Sequence, residues 1–156
     1  MSKIIPVLAA LSLVFTLTAC DTGSSDTAGV DHLLLEIHSS HSRVKVGDVV
    51  QIRFTIRNTG QQLIVVESKN LPVMDIRVEE AGGHVLLTWS SQNSDKVSDR
   101  LEWKPGEVKV IDWTWTPKEG DVYIGNLHDI GLNGLLSGSS VGQVAGVTIC
   151  ASNVCQ

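Results

Sequence analysis

Apolar and polar residues alternate with a period of two along most of the chain after residue 31. Val50, Ile52, Phe54 and Ile56 alternate with polar or charged residues, and an Asn-Thr-Gly sequence at 58–60 ends the run. Alternation of this kind is typical of a strand that buries one face and exposes the other. The sequence therefore predicts a half-buried strand followed by a turn.

A hairpin is predicted further along the chain. Residues Met74–Glu79 alternate, residues 81–83 read Ala-Gly-Gly, and Val85, Leu87 and Trp89 alternate again. Glycine supplies the backbone conformations that a tight turn between antiparallel strands requires. We expect these two strands to pair directly.

Other segments have the same strand character, and no window shows helical periodicity. They are 63–67, 101–103, 108–116, 122–127 and 141–150. About seven or eight short strands separated by turn signals predict an all-β chain, an immunoglobulin-like antiparallel β-sandwich. Trp113 and Trp115 share a strand face with Ile111, which fits a buried inner face better than an aromatic ligand platform.

Two segments between the predicted strands are interpreted as exposed loops, Ser91–Arg100 and the Gly/Ser-rich Gly131–Ser140. Loops at one end of a rigid scaffold are a common binding surface. We expect a protein partner to contact the first of these regions through Lys96, Arg100 and Trp103. Trp103 is the tryptophan for which we expect the greatest exposure.

The first twenty residues have the layout of an export signal. Lys3 precedes an apolar run at 4–17, and small residues lead into Cys20. The sequence Leu-Thr-Ala-Cys that ends at Cys20 resembles the lipobox of bacterial lipoproteins. The resemblance implies removal of residues 1–19, a diacylglyceryl group on Cys20, and anchoring in membrane lipid on the extracytoplasmic face of a cell membrane. The alternative is an ordinary signal peptide with an unrelated cysteine.

Residues 20–31 contain one sizeable apolar side chain, Val30, among small and polar residues. Such a segment cannot bury enough surface to offset the entropy of ordering it, so we expect a lipidated N-terminus followed by a flexible linker. The folded domain is expected at 32–156, a length that can bury its own core.

Two cysteines besides Cys20 lie near the C-terminus, Cys150 and Cys155. In an exported chain such a pair favours a disulfide, which we expect to close a terminal turn. A redox-active pair is the weaker alternative because the spacing is not Cys-x-x-Cys, and a zinc site lacks further ligands at matching spacing.

Charge and motifs argue against several function classes. The net charge is -5 and no run of Lys or Arg occurs, which argues against nucleic-acid binding. Motifs for a nucleophile elbow, a zinc protease or a phosphate loop are missing from the sequence, so we expect neither an enzyme nor a cofactor. His32, His38 and His41 are interpreted as solvated side chains rather than metal ligands.

Asp75 lies on an otherwise alternating strand, beside Pro72. We interpret it as a structural acid that bonds loop backbone. The alternative is an isolated functional carboxylate.

Short motifs in a fixed order resemble a known family. Residues 74–79 read Met-Asp-Ile-Arg-Val-Glu, residues 88–90 read Thr-Trp-Ser, residues 104–107 read Lys-Pro-Gly-Glu, and Trp115 follows. Their order and spacing within 46–117 are similar to the BsuPI family, small β-sandwich domains named after an intracellular proteinase inhibitor. The resemblance implies the same fold and adds protease inhibition as a second candidate function.

The leading hypothesis is a membrane-anchored lipoprotein whose β-sandwich binds another protein at the cell envelope without enzymatic activity. The alternative is a proteinase inhibitor that presents Ser91–Arg100 to a protease cleft, where a rigid loop loses little entropy on binding. Lys96 and Arg100 would then be the anchors for a trypsin-like pocket.

Overall fold

The computed structural model describes residues 23–80, 83–118, 129–138 and 142–151. Within these ranges a single helical turn, α1 (Trp89–Gln92), is followed by a 3-10 turn at Ser94–Lys96. The strands in chain order are β1 (Ser24–Val30), β2 (Leu33–Ser39), β3 (Arg43–Val44), β4 (Val50–Asn58), β5 (Ile64–Glu67), β6 (Met74–Glu80), β7 (Val85–Thr88), β8 (Arg100–Trp103), β9 (Val108–Trp115), β10 (Asp129–Ser137) and β11 (Gly142–Ala151). None of the helical segments in the described ranges is long and apolar enough to cross a membrane.

Two sheets form a sandwich. The first contains four strands in the order β1, β2, β4, β9, and all of its neighbours are antiparallel. The second has the order β3, β11, β10, β6, β7, in which β3 runs parallel to β11 and the other neighbours are antiparallel. Strands β5 and β8 form a separate antiparallel ribbon. This architecture confirms the predicted all-β, immunoglobulin-like sandwich.

The core fills the space between the inner faces of the two sheets. Alternation along β2 and β4 buries every second side chain, as the sequence pattern predicts for β4. Large apolar side chains that are almost fully buried include Leu35, Ile37, Ile52, Phe54, Ile56, Ile76, Val78, Ile130, Leu132 and Ile149. Full burial of one such side chain stabilises the fold by about 1.5–3 kcal/mol, so these contacts hold the two sheets together.

Two sequence predictions about the core are confirmed. Trp113 and Trp115 are 7% and 4% exposed, so both pack inside the sandwich. The predicted hairpin is present as β6 and β7, which pair antiparallel. Trp89, which the alternation assigned to the second strand of that hairpin, instead begins α1.

The flexible linker predicted at 20–31 is wrong for Ser24–Val30, which form β1 and pair along their whole length with β2. Ala28 and Val30 pack against the core. The β1–β2 turn consists of Asp31 and His32, with φ of 45° and 66°, and both residue types adopt this region more readily than most. Side-chain hydropathy missed this strand because its order comes mainly from backbone bonds to β2.

The loop predicted at Gly131–Ser140 is also wrong over most of its length, because β10 runs through to Ser137. Gly134 lies over the ring of Phe54 in the opposite sheet, where an added Cβ would be 2.3 Å from the Cδ2 of Phe54. Glycine at this position is required for packing and does not mark a turn. The strand predicted at 122–127 lies outside the described residues.

Candidate functional site

Trp103, predicted as an exposed partner contact, is fully buried. Its side chain is 0% exposed, and its indole Nε1 donates a hydrogen bond to the carbonyl of Ile56 at 3.1 Å. Lys109 Nζ lies 5.7 Å from the ring centroid, within the range of a cation–π contact. The prediction is wrong because Trp103 is at the end of β8 on the face that packs on the sandwich, so its side chain cannot contact a partner.

The Ser91–Arg100 segment, predicted as an exposed loop, is largely exposed but includes the end of α1, the 3-10 turn and the first residue of β8. Thr88 caps α1, since its Oγ1 accepts a hydrogen bond from the backbone N–H of Ser91 at 3.1 Å. After the 3-10 turn, the chain is fixed by backbone bonds from Val73 N to the Ser98 carbonyl and from Ser68 N to the Asp99 carbonyl. The segment is therefore folded onto the sandwich.

Lys96 and Arg100 have different surroundings. Lys96 is exposed at the end of the 3-10 turn. Arg100 opens β8 and forms ion pairs with Glu67 at 2.7 Å and Glu102 at 2.5 Å. Hydrogen bonds to Glu102 and Glu67 raise the pKa of the Arg100 guanidinium. Arg100 is thus a paired residue of a strand, whereas exposed Lys96 donates one long hydrogen bond, to Asn93 Oδ1 at 3.4 Å.

Asp75 holds α1 against the second sheet. Its carboxylate is 6% exposed and accepts hydrogen bonds from the backbone N–H of Ser90 at 3.0 Å and from the Ser90 hydroxyl at 2.7 Å. Bonds to a charged acceptor are stronger than bonds between neutral groups. The interpretation of Asp75 as a structural acid that bonds loop backbone is confirmed.

On one side of the sandwich, strands of the two sheets lie against each other. Strand β1 of the first sheet contacts β11 of the second, and the Asp26 carboxylate accepts a hydrogen bond from the backbone N–H of Gly146 at 3.0 Å. Here Gly146 lies under the side chain of Asn133, where an added Cβ would be 2.2 Å from Oδ1. We call this the closed side, defined by β1 and β11.

On the other side, β9 ends the first sheet and β7 ends the second. In the described residues β9 pairs with β4 alone, and β7 pairs with β6 alone. We call this the open side, defined by β7, β9 and the connecting α1. It presents two strand edges next to each other.

The register fixes which backbone groups of β9 face outward. Asn58 N donates to the Glu107 carbonyl at 3.0 Å, and the β4–β9 register continues from that pair. Hydrogen-bonded and non-hydrogen-bonded pairs alternate along an antiparallel ladder. The N–H and C=O groups that point away from β4 therefore belong to every second residue of β9, namely Val108, Val110, Asp112 and Thr114.

Two grooves flank this edge. A cavity of 160 Å³, which we call the Trp89 groove, is lined by Lys109, Val110 and Ile111 of β9 and by Trp89, Lys96 and Leu101 opposite. A second cavity of 340 Å³, the Leu87 groove, is lined by Thr114, Trp115 and Thr116 and by Leu86, Leu87 and Gln92. Between them, Trp113 Nε1 donates to Gln92 Oε1 at 3.0 Å. The β9 edge thus has two partly apolar recesses separated by one polar bridge.

The charged side chains of β9 are both paired within the domain. Lys109 Nζ lies 2.8 Å from Glu107 Oε1, and Asp112 makes a two-bond ion pair with Arg53 at 2.7 and 3.0 Å. The hydrogen bond from Lys109 lowers the pKa of Glu107, and the hydrogen bond from Arg53 lowers the pKa of Asp112. Natural strand edges are commonly protected by charged side chains, proline or a bulge. Strand β9 contains no proline, and its two charged side chains are each neutralised by an ion pair.

The free edge of β9 was not predicted from the sequence, although the sequence contains one indication of it. Val108 and Val110 lie on the outer face of β9 and are 39% and 49% exposed, so this strand carries apolar residues on both faces at its start. A half-buried strand ordinarily exposes polar residues. The pattern of valines opposite Ile111 could have marked the edge as a contact surface.

The histidines do not share one face. His32 lies in the β1–β2 turn, His38 lies on the outer face of β2, and His41 lies in the connection after β2. In the described ranges no group of three or more His, Cys, Asp or Glu is placed to hold a metal ion.

Cys150 is disulfide-bonded. Its predicted partner Cys155 lies outside the described residues, as does Cys20, so both of these predictions stay open.

Comparison with known proteins gives structural similarity without a sequence relative. No protein-family model and no curated protein matches the chain. The sporulation control protein Spo0M from Bacillus subtilis is similar with a TM-score of 0.56 and 12% identity over 79% of this chain, which spans 50% of that protein. The CARDB domain of PF1109 from Pyrococcus furiosus has a TM-score of 0.46 and 18% identity, covering 78% of this chain and 94% of the domain. At such identities the likeness concerns the fold alone, and the BsuPI resemblance stays a prediction.

Proposed function

We propose that this chain is a membrane-anchored lipoprotein, attached through Cys20, whose β-sandwich binds an extended segment of another protein along the free edge of β9. The observation that carries the binding role is this exposed edge, with four residues whose backbone groups point outward beside two grooves. An extended peptide that adds to a sheet edge gains affinity from main-chain hydrogen bonds and specificity from pockets for alternate side chains.

The spacing of the grooves defines the peptide. The inward-facing residue of β9 in the Trp89 groove is Ile111, and in the Leu87 groove it is Trp115. Side chains on one face of a strand recur every second residue, so a paired peptide places residues four apart into the two grooves. The residue between them lies over the bridge of Gln92 and Trp113 and should be small. We expect apolar residues at the outer two positions because Trp89, Leu101, Leu86 and Leu87 line the recesses.

A pair of proline variants tests this role. Val110→Pro removes an outward N–H from β9 without breaking the ladder to β4. Val144→Pro is the matched control, since Val144 of β11 is 48% exposed against 49% for Val110. Its N–H also points away from the neighbouring strand, as the outward bonds of Gly146 N and Cys150 N show for alternate residues of β11. Proline is tolerated where the N–H faces away from the sheet.

The assay uses the chain from Asp21 onward, which keeps β1, and peptides selected from a random library. We expect Val110→Pro to weaken binding by about tenfold or more, equivalent to about 1.4 kcal/mol, and Val144→Pro to leave it unchanged. Amide hydrogen exchange should slow at Val108, Val110, Asp112 and Thr114 when peptide binds. Equal loss in both variants, protection elsewhere, or a library that yields no binder would contradict the proposal.

The inhibitor alternative has less support. A substrate-like inhibitor needs an extended, exposed loop, whereas Ser91–Arg100 is folded into α1, a 3-10 turn and the start of β8. Lys96 lines the Trp89 groove, which supports a place for it in the proposed edge site rather than in an inhibitory loop.

A further inference from the structure

The start of β1 fixes where a membrane anchor meets the domain. Gly23 lies against the end of β2, where an added Cβ would be 2.2 Å from the carbonyl oxygen of Ser39. Three peptide units join Cys20 to Gly23, and at about 3.6 Å each they reach no further than about 11 Å. A lipid on Cys20 would hold this end of the sandwich close to the bilayer surface. We call it the anchor end, defined by Gly23, Ser39 and the connection Ser40–Val49.

The anchor end presents apolar side chains on a well-defined turn. Asp48 N donates to the Lys45 carbonyl at 3.1 Å, and Lys45 N donates to Asp48 Oδ2 at 2.8 Å. Gly47 has φ of 89°, as a type II turn requires at its third residue. Val46 occupies the second position of this turn and is 40% exposed, and Val49 follows with 57% exposed. Because this segment is already ordered in the folded domain, Val46 and Val49 can contact a surface with little further loss of conformational entropy.

Charges at the turn are compatible with a lipid surface. Arg43 and Lys45 are exposed, and Asp48 is partly buried with one carboxylate oxygen bonded to the Lys45 backbone. Basic side chains close to an anionic membrane surface are attracted to it at physiological ionic strength. The short turn thus combines apolar tips with a small excess of positive charge.

We infer that the anchor end docks on the membrane surface, with Val46 and Val49 at the boundary between headgroups and acyl chains. The inference rests on the lipid anchoring proposed above. Nine residues of β4 separate the anchor end from the opposite end, where Leu63 lies, a distance of about 27 Å at about 3.4 Å per residue. The domain then stands upright on the membrane, and the open side faces sideways with its full length free.

Fluorescence quenching measures this orientation directly. Full-length protein, lipidated in a bacterial host, is reconstituted in vesicles of phosphatidylcholine and phosphatidylglycerol whose headgroups carry a quencher. An introduced cysteine carries the dye in Val49→Cys or in Leu63→Cys. The two positions are matched because Val49 is 57% and Leu63 is 53% exposed, at opposite ends of β4. Unsubstituted protein reports background labelling.

We expect the dye at position 49 to lose most of its fluorescence and the dye at position 63 to lose none. In the Val49→Cys background, Val46→Asp should restore part of the signal, and ten Gly/Ser residues inserted before Gly23 should restore more. Equal quenching at both positions would overturn the orientation while leaving the anchor in place. Mass spectrometry that finds no diacylglyceryl group on Cys20 would overturn anchor and orientation together. Neither result bears on peptide binding, which the proline variants test in the chain without lipid.

Discussion

On the closed side and on the open side of the sandwich, the backbone edges of the outer strands differ in what covers them. On the closed side β1 lies against β11, and an Asp26 oxygen accepts the outward N–H of Gly146. On the open side the outward groups of β9 have no strand partner among the described residues. A carboxylate that reaches an edge N–H removes a hydrogen-bond donor from the surface. An edge without such a group keeps its donors for another chain.

Removing β1 should have the largest effect, because it turns the closed side into a second open side. A chain that starts at Asp31 loses the ladder to β2 and the packing of Ala28 and Val30. Each net hydrogen bond contributes about 0.5–1.5 kcal/mol, so we expect a loss of on the order of 3 kcal/mol or more and a fall in Tm of roughly 10 °C. Comparing the Tm of the chain that starts at Asp31 with the Tm of a chain that starts at Gly23 checks this prediction. Matching transitions would show that β1 is only loosely attached.

The two aspartates that accept backbone N–H groups should differ in importance. Asp75→Ala leaves the partly buried N–H and hydroxyl of Ser90 without this charged acceptor and releases α1 from the open side, for an expected loss of about 2–3 kcal/mol. Asp26→Ala loses one exposed bond, for about 1 kcal/mol. The two variants are compared by their free energies of unfolding in urea, provided that the dependence of that free energy on urea concentration is the same for both. Should Asp26→Ala prove the more costly, the closed side would depend on that bond more than its exposure indicates.

Two glycines of β11 test the packing of the closed side. Gly146→Ala places a Cβ 2.2 Å from Asn133 Oδ1, and the Asn133 amide is held by Glu79 at 2.8 Å. We expect a loss of about 1–2 kcal/mol from this overpacking. Gly142 has open space around it, so Gly142→Ala should be neutral or slightly stabilising. The comparison is made from the denaturant concentrations at which the two variants are half unfolded. Equal midpoints would mean that the Asn133 side chain does not lie over Gly146.

The smallest effect should come from acidification at the open side. The hydrogen bond from Arg53 lowers the pKa of Asp112 below its ordinary value of 3.8. The stabilising contribution of Asp112 is therefore complete above that value and is lost as the pH falls through the lower pKa of the folded state. Both side chains are more than half exposed, so solvent and salt screen the pair. Unfolding midpoints of the wild type and Asp112→Asn should converge as the pH falls toward 2, and a constant difference would contradict this account.

The sequence predicted the structure correctly where apolar and polar side chains alternate between a buried and an exposed face. Alternation along β4 and the inward Trp113 and Trp115 gave the fold class and part of the core. Strand β1 was missed because its order depends on backbone pairing, and β10 was missed because Gly134 resembles a loop residue until Phe54 is seen above it. The exposure of Trp103 was mispredicted for a related reason, since alternation identifies the two faces of β8 without showing which one packs on the sandwich.

The candidate site was harder to predict than the fold. An edge is a property of strand order, and strand order is decided by contacts between residues far apart in sequence. Val110 and Lys96 could be named from the sequence, but their meeting at one groove depends on α1 folding back, through Asp75 and Ser90, toward β9. Short polar segments such as Ser91–Arg100 give no periodicity from which that path could be read.

The bond between Asp26 and Gly146 joins residues that are 120 positions apart. Contacts of such long range form slowly, because much of the chain must be ordered before they close. Strand β1 therefore lacks its contact with β11 until the last hairpin has folded. Under the export from the N-terminus proposed above, nearly the whole chain has to cross the membrane first. Until then the edge of β1 is uncovered, so under the same proposal the time available for wrong pairing depends on how fast the chain is exported rather than on the stability of the finished sandwich.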